Sequence, residues 1–119
     1  MFPFKEIARL DKTIHEPARL AILTALDACM LAEFLFLQEL TGLTKGNLSS
    51  HLSKLEKAGY VTIDKRFIRQ KIPHTTIRIT REGKAAIANY WKKMDQIRQQ
   101  TNEWNGENSK KKLNNLIKK

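Results

Sequence analysis

The run Leu43-Thr44-Lys45-Gly46-Asn47-Leu48-Ser49-Ser50-His51-Leu52-Ser53-Lys54-Leu55-Glu56-Lys57-Ala58-Gly59 decides how this 119-residue chain folds. Leu48, Leu52 and Leu55 recur at four- and three-residue steps, the spacing that lays apolar side chains along one face of a helix. Thr44 is a good N-cap, because its hydroxyl can accept from an otherwise unpaired N–H of the first turn. The helix is expected to run to Ala58, where Gly59 supplies the left-handed residue that ends it. The face opposite the leucines carries Gly46, Ser50, Ser53 and Lys57, flanked by Lys45, Asn47, Ser49 and Lys54. That face is small, polar and cationic, with no acid in its N-terminal half.

Upstream, Gly42-Leu43 reads as a tight turn, preceded by a helix from about Phe36 to Thr41. The stretch Leu31–Leu37 is too apolar to show a clean period, and a short extended piece is expected near Glu33-Phe34. Pro17 suits the first turn of a helix that runs to about Cys29, with Leu20, Leu23, Leu26 and Met30 forming its stripe. Before it, Phe2, Phe4, Ile7, Leu10 and Ile14 fall at roughly helical spacing and make an apolar-faced arm.

Downstream the period changes. Val61, Ile63 and Phe67 occupy alternate positions, as do Ile77 and Ile79, which predicts two antiparallel strands. The basic, proline-containing segment Ile68–His74 is expected to be the loop between them. Thr80 should cap a long last helix from about Arg81 to Thr101. Residues 102–119 form a polar, lysine-rich tail, so one domain is expected over 1–101. The order helix, short strand, helix, turn, helix, hairpin, helix is that of a winged helix-turn-helix, mainly α with a small β-hairpin.

The formal charge of +10 implies a polyanionic partner. Its distribution is uneven. Residues 1–44 carry four basic and six acidic side chains, a net of −2, whereas residues 45–84 carry ten and three, a net of +7. Residues 85–109 balance at zero, and the last ten residues add five lysines. The excess therefore falls on the central helix, the hairpin and the tail.

Such a helix suits the major groove of double-stranded DNA. Gly46 and the serines permit close approach, Asn47 can pair with an adenine edge, and Lys45 or Lys54 can reach guanine or phosphate. Thr44, Ser49, Ser50 and Ser53 complete that face. Lys65, Arg66, Arg69, Lys71 and His74 crowd the hairpin, where they could lie along phosphates or enter a minor groove. The alternative is a winged helix that contacts protein or RNA. RNA binding would want exposed aromatics for stacking, and the basic segment offers few beyond Tyr60 and Phe67.

Other classes find little support. No glycine-rich phosphate loop, nucleophile motif or carboxylate cluster is present, so neither an enzyme nor a cofactor is expected. One cysteine, Cys29, excludes an internal disulfide and reads as a core residue. His15, His51 and His74 follow no metal-ligand spacing, so no metal is expected. The N-terminus lacks a basic region followed by an apolar run, and no apolar stretch approaches a membrane span. A cytoplasmic protein with no membrane partner is the expectation.

The runs Glu16-Pro17-Ala18-Arg19-Leu20-Ala21-Ile22-Leu23, Leu43–Leu52 and Leu55-Glu56-Lys57-Ala58-Gly59-Tyr60-Val61 resemble winged-helix transcriptional regulators of the ArsR/MarR type. The small winged helix DNA-binding domain group within them is the best match, and Ile79-Thr80-Arg81-Glu82-Gly83-Lys84 resembles its strand-to-helix junction. The resemblance covers about residues 11–92. It implies homodimeric, sequence-specific DNA binding in transcription regulation, with residues 44–58 as the reading helix and 68–74 as the wing. Leu35 stands where such proteins often place a polar cap, so Leu35 or Phe36 could face a partner.

In the last helix Tyr90, Met94, Ile97, Thr101 and Trp104 step by four and three residues, a heptad-like seam. With Phe4, Ile7 and Leu10 of the arm, this seam is the expected homodimer interface.

Overall fold

Helix formation begins where side chains can satisfy the first backbone N–H groups. The computed structural model describes residues 3–104, 113 and 115–117. Its elements, in order, are α1 (Phe4–Ile7), α2 (Pro17–Cys29), β1 (Leu31–Glu33), α3 (Phe34–Thr41), α4 (Lys45–Lys57), β2 (Val61–Ile68), β3 (Ile72–Ile79) and α5 (Arg81–Glu103). Three of the four longer helices carry a side-chain cap. Glu16 accepts from the N–H groups of Ala18 and Arg19 ahead of α2, Thr44 from that of Asn47 ahead of α4, and Thr80 from that of Gly83 ahead of α5. The helix α3 is the exception. Glu33 stands at its N-cap position and makes no side-chain capping bond.

The strands form one three-stranded antiparallel sheet in the order β1-β3-β2. Register sets Val61 opposite Ile79, Ile63 opposite Ile77 and Ala32 opposite Ile77 on its other side. Val61, Ala32, Ile77 and Ile79 are all buried. They meet Ile22, Leu23 and Leu26 of α2, Leu37 of α3, and Leu48, Leu52 and Leu55 of α4 in one core. Each such residue contributes roughly 1.5–3 kcal/mol when fully buried.

Two compact units divide the chain. Residues 11–90 form one, and residues 1–10 with 91–119 form the other. In the second unit Phe4 packs edge-on against Trp104, ring centroids 5.2 Å apart. In the first, the phenol of Tyr60 donates to Asp11 at 2.5 Å. That bond, then burial and the Asp11 charge push the Tyr60 phenol up to about 12.

Several boundaries differ from the sequence expectation. The strand lies at Leu31–Glu33 and α3 starts at Phe34, because β1 pairs with β3 and ends as soon as the pairing does. Among the described residues of the N-terminal arm only Phe4–Ile7 is helical, and Ile14 is buried in the core of the first unit. In α2, Ile22 is fully buried whereas Met30 is 45% exposed at a positive φ. Cys29 is exposed rather than a core residue, since the last turn of α2 turns that face to solvent. The last helix reaches Glu103, two residues past Thr101. Phe2 and all five lysines of the tail lie outside the described residues.

The junction of α4, β2 and α5 is the tightest point. Gly59, at φ +81°, lets the N–H of Tyr60 reach the carbonyl of Leu55 and its own N–H reach Glu56, which closes α4 in a Schellman motif. Thr80 then donates its N–H to the carbonyl of Tyr60 and its hydroxyl to the carbonyl of Gly59. A Cβ on Gly83 would lie 2.2 Å from the Tyr60 carbonyl oxygen and 2.9 Å from Ile79. Gly83→Ala is therefore expected to lose about 3 kcal/mol despite alanine's advantage of about 1 kcal/mol in helices. A urea midpoint equal to wild type would refute this contact as a constraint.

Candidate nucleic-acid interface

The leucine face of α4 fixes which side chains it can offer. With Leu48, Leu52 and Leu55 buried, helical geometry turns Lys45, Gly46, Asn47, Ser49, Ser50, Ser53 and Lys54 outward, and all seven are exposed, as is Thr44. No acid lies in the first turn of α4, so its unpaired N–H groups and helix dipole present positive potential there.

His51 lies at the margin of this face and belongs to a network that the sequence reading missed. Arg19 donates through Nε to the carbonyl of Thr13 at 2.6 Å, and its terminal nitrogen lies 3.2 Å from His51 Nδ1. Glu16 approaches the same His51 nitrogen at 3.6 Å while capping α2. The network ties the start of α2 to the middle of α4. Glu16 ahead of Pro17 was the available signal, because a carboxylate there can cap a helix opened by proline.

The hairpin is longer and its loop shorter than expected. Ile68 pairs with Ile72, and the turn consists of Arg69, Gln70 and Lys71 alone. Arg69 and Gln70 have φ of 53° and 63°, and the N–H of Lys71 returns to the carbonyl of Ile68. Consecutive positive φ angles match the right-handed twist of the strands, although the usual asparagine-glycine signal for such a turn is absent. His74 therefore lies in β3, opposite Arg66 and 3.7 Å from Glu33, not in a loop.

The cations differ in availability. Arg66 is held by Asp64 at 2.8 Å, both side chains largely exposed. Lys65, Arg69 and Lys71 have no ion-pair partner among the described residues. Between α4 and the hairpin runs a groove of about 490 Å³ lined by Phe34, Ser49, Ser53, Ile63, Lys65 and Thr75, among others. It brings the serines of the helix and the first lysine of the hairpin onto one surface.

The residues expected at a dimer seam divide by burial. Leu10, Tyr90 and Ile97 are 4%, 3% and 7% exposed within the protomer, and Tyr90 bonds His15 Nδ1 at 2.8 Å. Phe4 and Ile7 are exposed, and Met94, Thr101 and Trp104 half-buried. Among the described residues no His/Cys/Asp/Glu cluster could hold a metal ion, and no helix is long and apolar enough to cross a membrane.

The Glu16 carboxylate titrates below its ordinary value. Burial alone would raise it, but the backbone N–H bonds from Arg19 and Ala18 and the charges of His51 and Arg19 outweigh burial. A lowered folded pKa means stability that is present above the unfolded carboxylate pKa and lost as pH falls through the folded one. Glu16→Ala should cost about 1 kcal/mol at pH 7, with the difference vanishing in acid. Denaturant melts at pH 7 and below pH 4 check both; a difference independent of pH would refute the charged cap.

Comparison with known proteins bears on the family and the fold. Residues 18–98 match the family described as winged helix DNA-binding domain. An uncharacterized protein of Methanocaldococcus jannaschii is 39% identical over 79 residues, which is 66% of this chain and 85% of that protein. The transcriptional regulator homologue from Pyrococcus horikoshii OT3 is similar in structure, with a TM-score of 0.75 and 29% identity over 85% of this chain and 98% of that one. A MarR family transcriptional regulator from Silicibacter pomeroyi shares the fold at a TM-score of 0.57 and 19% identity, over 98% and 75% of the two chains.

Proposed function

Because the chain belongs to the winged helix DNA-binding domain family, we propose that it is a transcriptional regulator that reads double-stranded DNA as a homodimer. The observation that carries this reading is the shared surface of α4 and the hairpin. Ser49 and Ser53 of α4 and Lys65 of the hairpin line one groove, which Glu56 also borders, and Arg69 and Lys71 at the hairpin turn have no ion-pair partner among the described residues.

In this reading α4 enters the major groove. Gly46 lets the backbone approach closely, Asn47 pairs with an adenine edge, and Lys45 and Lys54 take guanine or phosphate. Thr44, Ser49, Ser50 and Ser53 contact phosphate or base edges. Arg69 and Lys71 at the turn, with Lys65, Arg66 and His74 along the strands, hold the flanking backbone or minor groove. The residues 1–101 act as the DNA-binding body and 102–119 as a basic appendage, in the cytoplasm.

Phe4, Ile7, Leu10, Tyr90, Met94, Ile97, Thr101 and Trp104 are the residues that would meet a second copy. A two-fold dimer would set two reading helices about 34 Å apart, and so calls for a two-fold symmetric site. Sedimentation at micromolar concentration is expected to give a dimer, and a monomer would overturn this part.

Affinity for duplex DNA should fall steeply as salt rises, because lysine and arginine contacts release counterions. Asn47→Ala should change sequence preference in a selection from random duplexes, by about 1–3 kcal/mol at one position. Arg69→Ala should weaken all sequences alike and reduce the salt slope by about one. Salt-insensitive or absent binding would favour a protein-contacting module, and the reverse mutational pattern would exchange the two roles.

A further inference from the structure

The end of the hairpin is apolar as well as basic. Phe67 is 72% exposed, Ile72 57% and Ile68 44%. Register places Phe67 opposite Pro73 on one face of the hairpin and Ile68 opposite Ile72 on the other, in the last two rungs before the turn. Both faces of a thin, projecting ribbon are therefore apolar. Residues that served only to keep a sheet edge soluble would be charged here, as exposed edges usually are.

Two observations select the partner. Lys65, Arg66, Arg69 and Lys71 surround the apolar pairs, and the single acid of the two strands, Asp64, is bound to Arg66. The surface is thus apolar at its centre and cationic around it, the complement of a groove with anionic walls and stacked bases between them. Strand alternation also puts Phe67 and Pro73 on the same face as Ile63, Lys65 and Thr75, which line the groove beside Ser49 and Ser53 of α4. The apolar end continues the surface already assigned to DNA.

We propose that the hairpin end is a wedge that enters the minor groove, with Phe67 and the Ile68–Ile72 pair against a partly unstacked base step and Lys65, Arg69 and Lys71 on the flanking phosphates. The proposal rests on the DNA-binding reading above. Apolar side chains inserted in this way kink the duplex toward the major groove, and the unstacking is offset by the extra surface brought into contact. The wing then senses how easily a step deforms, which gives sequence preference at positions where no hydrogen bond is made.

An apolar wedge and a phosphate contact differ in their salt dependence. Fluorescence anisotropy with a mixed-sequence 30-base-pair duplex, from 50 to 200 mM salt, compares the full chain with Phe67→Ala, Phe67→Leu and Arg69→Ala. Phe67→Ala is expected to bind roughly tenfold more weakly at every salt concentration, with the slope unchanged, because no counterion is involved. Phe67→Leu should keep most of the affinity, and energy transfer between end labels should report less bending with alanine than with leucine. Thermal melting of both variants should match wild type, since the side chain is exposed.

Wild-type affinity and bending in Phe67→Ala would overturn the wedge and leave the DNA reading standing. Unchanged DNA binding with an altered sedimentation state would assign the patch to a second copy. Loss confined to binding of phosphatidylserine vesicles would assign it to a membrane surface, and either result overturns the wedge. Failure of the wild-type chain to bind any duplex would overturn the DNA reading and the wedge together.

Discussion

Three elements of this protein meet at the peptide between Gly59 and Tyr60. Gly59 ends α4 by adopting a backbone conformation that side chains disfavour, and the carbonyls of Gly59 and Tyr60 then accept from the hydroxyl and N–H of Thr80. Gly83 lets the first turn of α5 approach that same backbone within a distance no Cβ could occupy. Because β2 begins at Val61 and β3 ends at Ile79, this contact also fixes where the first strand of the hairpin starts and the second stops. The relation between reading helix and wing follows from it. A lever of eight residues on each strand carries the hairpin turn outward from that point.

The charge pattern acquires its meaning from this placement. Net charge in one sequence segment does not by itself make a surface, because neighbouring residues in a helix or strand face different ways. Burying three leucines of α4 turns the serines, Asn47 and two lysines to one side. Pairing within the sheet then sorts the cations of the hairpin. Arg66 is tied to Asp64 and His74 lies beside Glu33, whereas Lys65, Arg69 and Lys71 form no ion pair among the described residues. Charges in the second class can release counterions from DNA at little cost to the fold.

Much of this was legible in the chain. The leucine spacing of residues 48–55 and the caps at Thr44 and Thr80 all report local rules, and local rules are written in neighbouring residues. The glycine at position 59 belongs with them. The winged-helix order of elements followed from those rules together with alternation at Val61–Phe67 and Ile77–Ile79. Less legible were features that depend on a distant partner. The strand Leu31–Glu33 is defined by its pairing with Thr76–Arg78, so an all-apolar stretch could not locate it. Cys29 is exposed because of how the last turn of α2 faces, and apolar content alone suggested the opposite. Tyr90 has the spacing of a seam, yet it closes onto His15, seventy-five residues away in sequence.

The sequence by itself determined where helices begin and end, which face of α4 is apolar, and where positive charge accumulates, because each depends on contacts within a turn or two. Only the tertiary structure decided which cations remain unpaired, how far the hairpin extends before it turns, and that Phe67, Ile68 and Ile72 stay uncovered at its end. Those properties arise from strand register and long-range packing, where the energy of a residue is set by groups that its neighbours in sequence do not specify.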